Sequence, residues 1–125
     1  MKNLEILAAE PLLDASYKGY PLTAPPCRPG ALALQGWNVL AGDLPLPVLD
    51  REALAHNLAW MQDYARQRGV LLAPHGKTTM SPELFAQQLA AGAWGLTFAS
   101  VWQARVGVAA AARRIIIANQ VLQDA

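Results

Sequence analysis

Hydrophobic positions fall into two regimes along this chain, and the change comes near residue 48. Before it, the apolar residues hold no sustained period. Pro21, Pro25, Pro26, Pro29, Pro45 and Pro47 interrupt any long helix, since proline lacks an N–H and clashes with the preceding turn. Leu32 to Leu40 leaves room for one or two short strands. Residues 1–48 therefore read as an irregular, proline-rich N-terminal segment.

After Pro47 the pattern becomes periodic. Asp50 is a good N-cap, and Glu52 puts a negative charge in the first turn. Leu54, Leu58, Met61 and Ala65 recur at helical spacing, and Arg66, Arg68 and Gly69 suit a helix end. Val70, Leu71, Leu72 and Ala73 are apolar at every position, which predicts a strand from about Val70 to Pro74, buried on both faces. The same grammar repeats. Ser81-Pro82 opens a helix that Gly92 ends, with Phe85 and Leu89 on one face. Gly95 to Ala99 reads as a second strand. Ser100 opens a third helix, closed by Arg113 and Arg114. Ile115 to Ala118 is a third strand, where β-branched residues fit.

Strands alternating with helices of about 10–15 residues indicate βαβ units and a parallel sheet. Short regular units suit a (β/α)8 barrel, which takes about 250 residues. The expectation for residues 49–125 is thus an α/β fold: a partial, truncated parallel barrel of about the first three βα units. Each outer strand would have an unpaired edge, and the inner face would lack the strands that fill a barrel. Alone, the chain is expected to aggregate, pair edge to edge or stay molten.

Composition narrows the classes. Hydrophobic residues make up 54% of the 125 positions and charged residues 15%, against about 25% charged in average soluble domains. The formal net charge is +1, with both signs scattered. No basic run marks a nucleic-acid partner. Leu84 to Ala104 lacks charge, but Gln87, Gln88, Gln103, Gly92 and Gly95 argue against a membrane span. Glu5 and Glu10 break any secretory signal. The single cysteine, Cys27, rules out an intrachain disulfide and fits a reducing, cytoplasmic compartment.

The densest chemistry lies in Pro74-His75-Gly76-Lys77-Thr78-Thr79, directly after the first predicted strand. Barrel enzymes collect reactive groups at the C-terminal ends of strands. A crowded, partly dry mouth turns an ammonium into a competent amine nucleophile. On pattern alone, an exposed lysine in a polar turn is the commoner case. Gly76 would let the backbone approach a ligand closely. His75 lies two positions before Lys77 and would share its side in an extended strand. A ligand contact and a structural hydrogen bond both fit it. Asn119, just past the third strand, faces the same mouth, and a site-lining role or a turn role fits it equally. The two histidines and one cysteine show no ligand spacing, so no metal site is expected. Gly92 to Gly95 precedes a strand, whereas dinucleotide-binding glycines follow one.

Leu49 to Val121 resembles the start of the fold-type III pyridoxal-phosphate enzymes, the family of alanine racemase, D-threonine aldolase and D-serine dehydratase. Three pieces, in order, carry the resemblance: Pro74-His75-Gly76-Lys77-Thr78 followed by Ser81-Pro82-Glu83, then Gln88-Leu89-Ala90-Ala91-Gly92-Ala93-Trp94-Gly95-Leu96-Thr97, and last Ile117-Ala118-Asn119-Gln120-Val121. It is closest to the D-serine dehydratase and D-threonine aldolase branch. It implies that Lys77 is the catalytic lysine that carries pyridoxal 5'-phosphate as an imine, with His75 and Asn119 as further cofactor-binding candidates. The implied activity is that of a lyase which removes the β-hydroxyl of D-serine or a related D-hydroxyamino acid, giving a keto acid and ammonia. Thr79 and Met80 stand where many members of the branch carry histidine and lysine, which points to the amino-acid deaminase sub-branch. A homodimer is the common assembly. The family's phosphate loop, its tyrosine and arginine partners and its metal ligands match no stretch here, so the chain is expected to be an inactive fragment. Two alternatives remain: a metal-assisted D-threonine aldolase, and a non-catalytic pyridoxal-phosphate-binding protein.

Overall fold

A computed structural model describes residues 12–38, 40 and 44–122. The chain divides into two compact units, Met1–Leu49 and Asp50–Ala125. In the first, Leu13 and Cys27 form an antiparallel bridge, with N–H to C=O distances of 2.8 and 2.9 Å. Pro29–Gln35 is a 3-10 helix, not the start of a strand. Proline at its first position presets helical φ, which decides the matter locally. Tyr20 is buried, donates its hydroxyl hydrogen to the Pro25 carbonyl, and meets Trp37 edge-on at 4.7 Å.

The second unit follows the periodic part of the sequence. Helix α1 spans Arg51–Gln67, and the Asp50 carboxylate accepts the Ala53 N–H at 2.7 Å. Helix α2, Pro82–Ala90, starts behind Ser81, whose hydroxyl accepts the Leu84 N–H. Gly69 and Gly92 follow α1 and α2 at φ of 65° and 110°, values that favour glycine. Strand β1 is Leu96–Phe98, helix α3 is Val101–Ala109 and strand β2 is Ile115–Ile117. Ser100 caps α3 by accepting the Gln103 N–H. That helix stops short of Arg113 and Arg114. Ala111 turns left-handed at φ 65°, and the Ala112 N–H returns to the Gly107 carbonyl at 3.0 Å. A left-handed alanine costs about 1–2 kcal/mol, which burial of Ala112 in the core helps to offset.

β1 and β2 pair in parallel, Leu96 with Ile115 through Phe98 with Ile117. The unit is therefore α/β with a parallel sheet, as its spacing predicts. The sheet has two strands among the described residues, because the expected strand at Val70–Pro74 does not form. Its chain runs parallel beside β1 but joins it at a single bridge, His75 with Thr97. The Trp94 N–H reaches the Leu72 carbonyl at 2.7 Å and the Thr97 N–H reaches the Pro74 carbonyl at 2.8 Å. Two steps on one side thus face three on the other, the mismatch of a bulge. Pro74 also has no N–H to give. Nor is the run buried on both faces: Leu71 is 74% exposed.

The core lies between the sheet and its helices. Phe85, Leu96 and Phe98 are fully buried, with Ala104 and Ala112 beside them and Met80, Leu89, Val106, Ile115 and Ile117 around them. The Phe85 and Phe98 rings meet edge to face at 5.4 Å. Strand alternation separates two faces: Leu96 and Phe98 enter the core, and Ile116 on the other face is 43% exposed. No helix among the described residues is long and apolar enough to cross a membrane.

Candidate active site

The segment Leu72–His75, β1 and β2 run in one direction, so their carboxyl ends gather on one edge of the sheet. His75, Lys77 and Asn119 all sit on that edge. Lys77 is the middle residue of a 3-10 turn, Gly76–Thr78, which begins where the bridged segment ends. The His75 Nδ1 accepts the Lys77 N–H at 3.3 Å, and the Met80 N–H donates to the Gly76 carbonyl at 3.0 Å. The side chain of Lys77 is exposed, as are Thr78 and Thr79.

Gly76 is buried. A Cβ there would lie 2.6 Å from Phe98 Cε1 and 2.8 Å from Phe85 Cε1. Its lack of a side chain therefore admits two core rings beneath the turn, where the sequence suggested close approach to a ligand. His75 and Lys77 are not successive residues of one extended strand, because the chain enters the 3-10 turn at Gly76. The ring of His75 caps that turn. Asn119 ties the two strand ends together: its Nδ2 donates to the Ala99 carbonyl at 3.2 Å, and its Oδ1 accepts the Gln120 N–H at 2.9 Å. Gln103 Oε1 accepts the Ala99 N–H at 3.0 Å, so both backbone groups of Ala99 are held by side chains.

One residue escaped the sequence reading. Thr97 Oγ1 donates to the Ala73 carbonyl at 2.6 Å, just before the lysine turn. The sequence shows it only as the one polar residue in the strand Leu96-Thr97-Phe98, with nothing to mark its partner.

Chemically, the edge offers an exposed primary amine on a tight turn. It can add to the carbonyl carbon of an aldehyde and lose water to form an imine. The residues present fit the aldehyde end of pyridoxal phosphate in that sense. A separate cavity of about 510 Å³ lies between α1 and Leu72–Pro74. Leu54, Leu58, Met61, Leu72 and Gln88 help line it, and its lining holds no ionisable side chain. Among the described residues no group of three or more His, Cys, Asp or Glu could hold a metal ion.

No family model matches the chain. It is 38% identical over 102 residues to D-threonine aldolase of Arthrobacter sp., covering 81% of this chain and 25% of that protein. It is 38% identical over 81 residues to D-threo-3-hydroxyaspartate dehydratase of Delftia sp. strain HT23, covering 65% of this chain and 21% of that protein. Solved structures are similar as well. The crystal structure of D-threonine aldolase from Filomicrobium marinum matches at a TM-score of 0.62 and 35% identity, over 66% of this chain and 22% of that one. A variant of D-threo-3-hydroxyaspartate dehydratase matches at a TM-score of 0.65 and 35% identity, over 74% and 23%. The chain thus spans about a quarter of the length of the curated relatives it matches.

Proposed function

We propose that this chain, a relative of the D-threonine aldolase and D-hydroxyaspartate dehydratase branch of the fold-type III pyridoxal-phosphate enzymes, supplies the cofactor lysine of a lyase acting on a D-3-hydroxyamino acid. The observation that carries the reading is Lys77: an exposed amine on a turn at the carboxyl edge of a parallel sheet. In this proposal the sheet belongs to a (β/α)8 barrel and the chain is one part of the enzyme. D-serine is one substrate of the class. The relatives' names add 3-hydroxyaspartate and threonine, which share its β-hydroxyl. The complete enzyme is taken as a homodimer.

Lys77 Nζ would hold the cofactor by its aldehyde carbon. When bound, the cofactor ring supplies an electron sink for the bond broken at Cα. Released by the incoming amine, Lys77 Nζ would serve as the base near Cα. His75 and Asn119 would act from the second rank, His75 by capping the turn and Asn119 by tying the strand ends. Incubation with pyridoxal phosphate, borohydride reduction and peptide mapping should put the pyridoxyl group on Lys77. A label on Lys2 or Lys18 instead would end this reading.

The similarity to D-threonine aldolase across 81% of the chain favours a second reading, aldol cleavage between Cα and Cβ with a divalent metal. Products separate the two in a complete protein carrying this sequence. A keto acid with ammonia marks the dehydratase; glycine with an aldehyde, lost on chelation, marks the aldolase.

A further inference from the structure

The turn that carries Lys77 is not held to the sheet by an ordinary ladder. Between the Trp94–Leu72 and Thr97–Pro74 bonds the two chains fall out of step, and no backbone N–H among the described residues donates to the carbonyl of Ala73. A half-buried carbonyl with no donor costs about 1–3 kcal/mol. The Thr97 hydroxyl supplies the missing donor at 2.6 Å. Thr97 therefore binds two consecutive carbonyls, Pro74 through its N–H and Ala73 through Oγ1. It is also the bridge partner of His75. All three contacts lie within four residues of Lys77. On the far face of the turn, Gly76 rests on Phe98 and Phe85. The rings limit how deep the turn can sink.

We infer that Thr97 is a positioning residue for Lys77: its hydroxyl, bonded to the Ala73 carbonyl, sets the register at which the lysine turn leaves the sheet. The inference rests on the reading of Lys77 as the cofactor lysine. Valine is nearly isosteric with threonine and lacks the hydroxyl, whereas serine retains it.

The test compares the chain with its Thr97→Val and Thr97→Ser variants by two measurements. The first is amide hydrogen exchange at Lys77 and Met80, whose N–H groups close the turn, and at Leu96 and Ala118, which report the β1–β2 ladder. The second is the rate of pyridoxyl labelling of Lys77 by pyridoxal phosphate and borohydride. T97V should speed exchange at Lys77 and Met80 about five- to tenfold, the loss of one net hydrogen bond, and slow Lys77 labelling to a similar degree. Leu96 and Ala118 should keep their protection. T97S should match the parent chain in both measurements. If T97V leaves the turn amides and the labelling rate unchanged, Thr97 positions nothing and the inference falls alone. Should T97V unfold the ladder, T97S decides: a folded T97S that labels slowly overturns the inference, and one at the parent rate supports it. If the parent chain itself is not labelled at Lys77, the functional reading falls and takes this inference with it.

Discussion

The two sides of β1 are built differently. Toward β2 the ladder is in register, with Leu96 N–H to the Arg114 carbonyl and Ala118 N–H to the Phe98 carbonyl. Toward Leu72–His75 there are two backbone bonds out of step, one side-chain bond and a single bridge. On the ladder side Ile115 and Ile117 pack against the core, while Leu71 on the other side is 74% exposed. Order is thus concentrated on one side, and the turn that carries Lys77 hangs on a few discrete fastenings on the other. Segments that move or bind come from the less stable end of a structure, where few contacts must break. The Lys77 turn should therefore open at lower cost than the ladder, a difference that amide exchange at Met80 and Leu96 reads directly.

That contrast can be broken outright by Phe98→Ala. Phe98 is fully buried and serves both sides, through the core and through Gly76. Truncating a buried phenylalanine costs about 3–5 kcal/mol. Protection at Leu96 and Met80 should be lost together. Survival of the Leu96 protection would show that the ring is not the common support.

Gly76→Ala should separate the two sides. Its Cβ would meet Phe98 Cε1 at 2.6 Å, and overpacking of this kind costs about 1–3 kcal/mol. Exchange should quicken at Lys77 and Met80 while Leu96 and Ala118 hold. An equal loss at all four amides would mean that turn and ladder are one cooperative unit. Leu71→Ala should have the smallest effect, within about 0.5 kcal/mol, as for other exposed positions. A cost above about 2 kcal/mol in an unfolding curve would mean that Leu71 is covered in solution, by another copy or another segment.

Periodicity and punctuation made the second unit largely readable. The caps at Asp50, Ser81 and Ser100 and the stops at Gly69 and Gly92 are local chemistry, and a local reading finds them. β2, expected over Ile115 to Ala118, followed from a β-branched triplet and ends one residue sooner, at Ile117. The first strand was misread because an apolar run such as Val70-Leu71-Leu72-Ala73 reports a wish for burial, not a hydrogen-bond partner, and Pro74 removes a donor. The end of α3 was misread because Ala111 adopts a left-handed conformation that its own chemistry disfavours. At the candidate site, Lys77 was legible from its motif and its place after an apolar segment. The Thr97 bond was not, since it joins residues 24 apart in sequence through a mismatch that no single stretch displays.

The ring of Phe98 carries one further consequence. Cε1 faces Gly76 at the lysine turn, and the opposite edge, Cε2 and Cζ, faces Gly107 in α3. A disc gripped by two bare backbones couples the three positions sterically. A methyl gained at 76 or 107 is affordable only beside a smaller residue at 98, and a smaller residue at 98 leaves a void unless one glycine has already grown. Each single change is penalised while the matched pair is tolerated, so substitutions here should show strong pairwise epistasis. The double variant Gly76→Ala with Phe98→Leu should therefore cost less stability than the sum of its two single changes, because one ring is shared between two backbones.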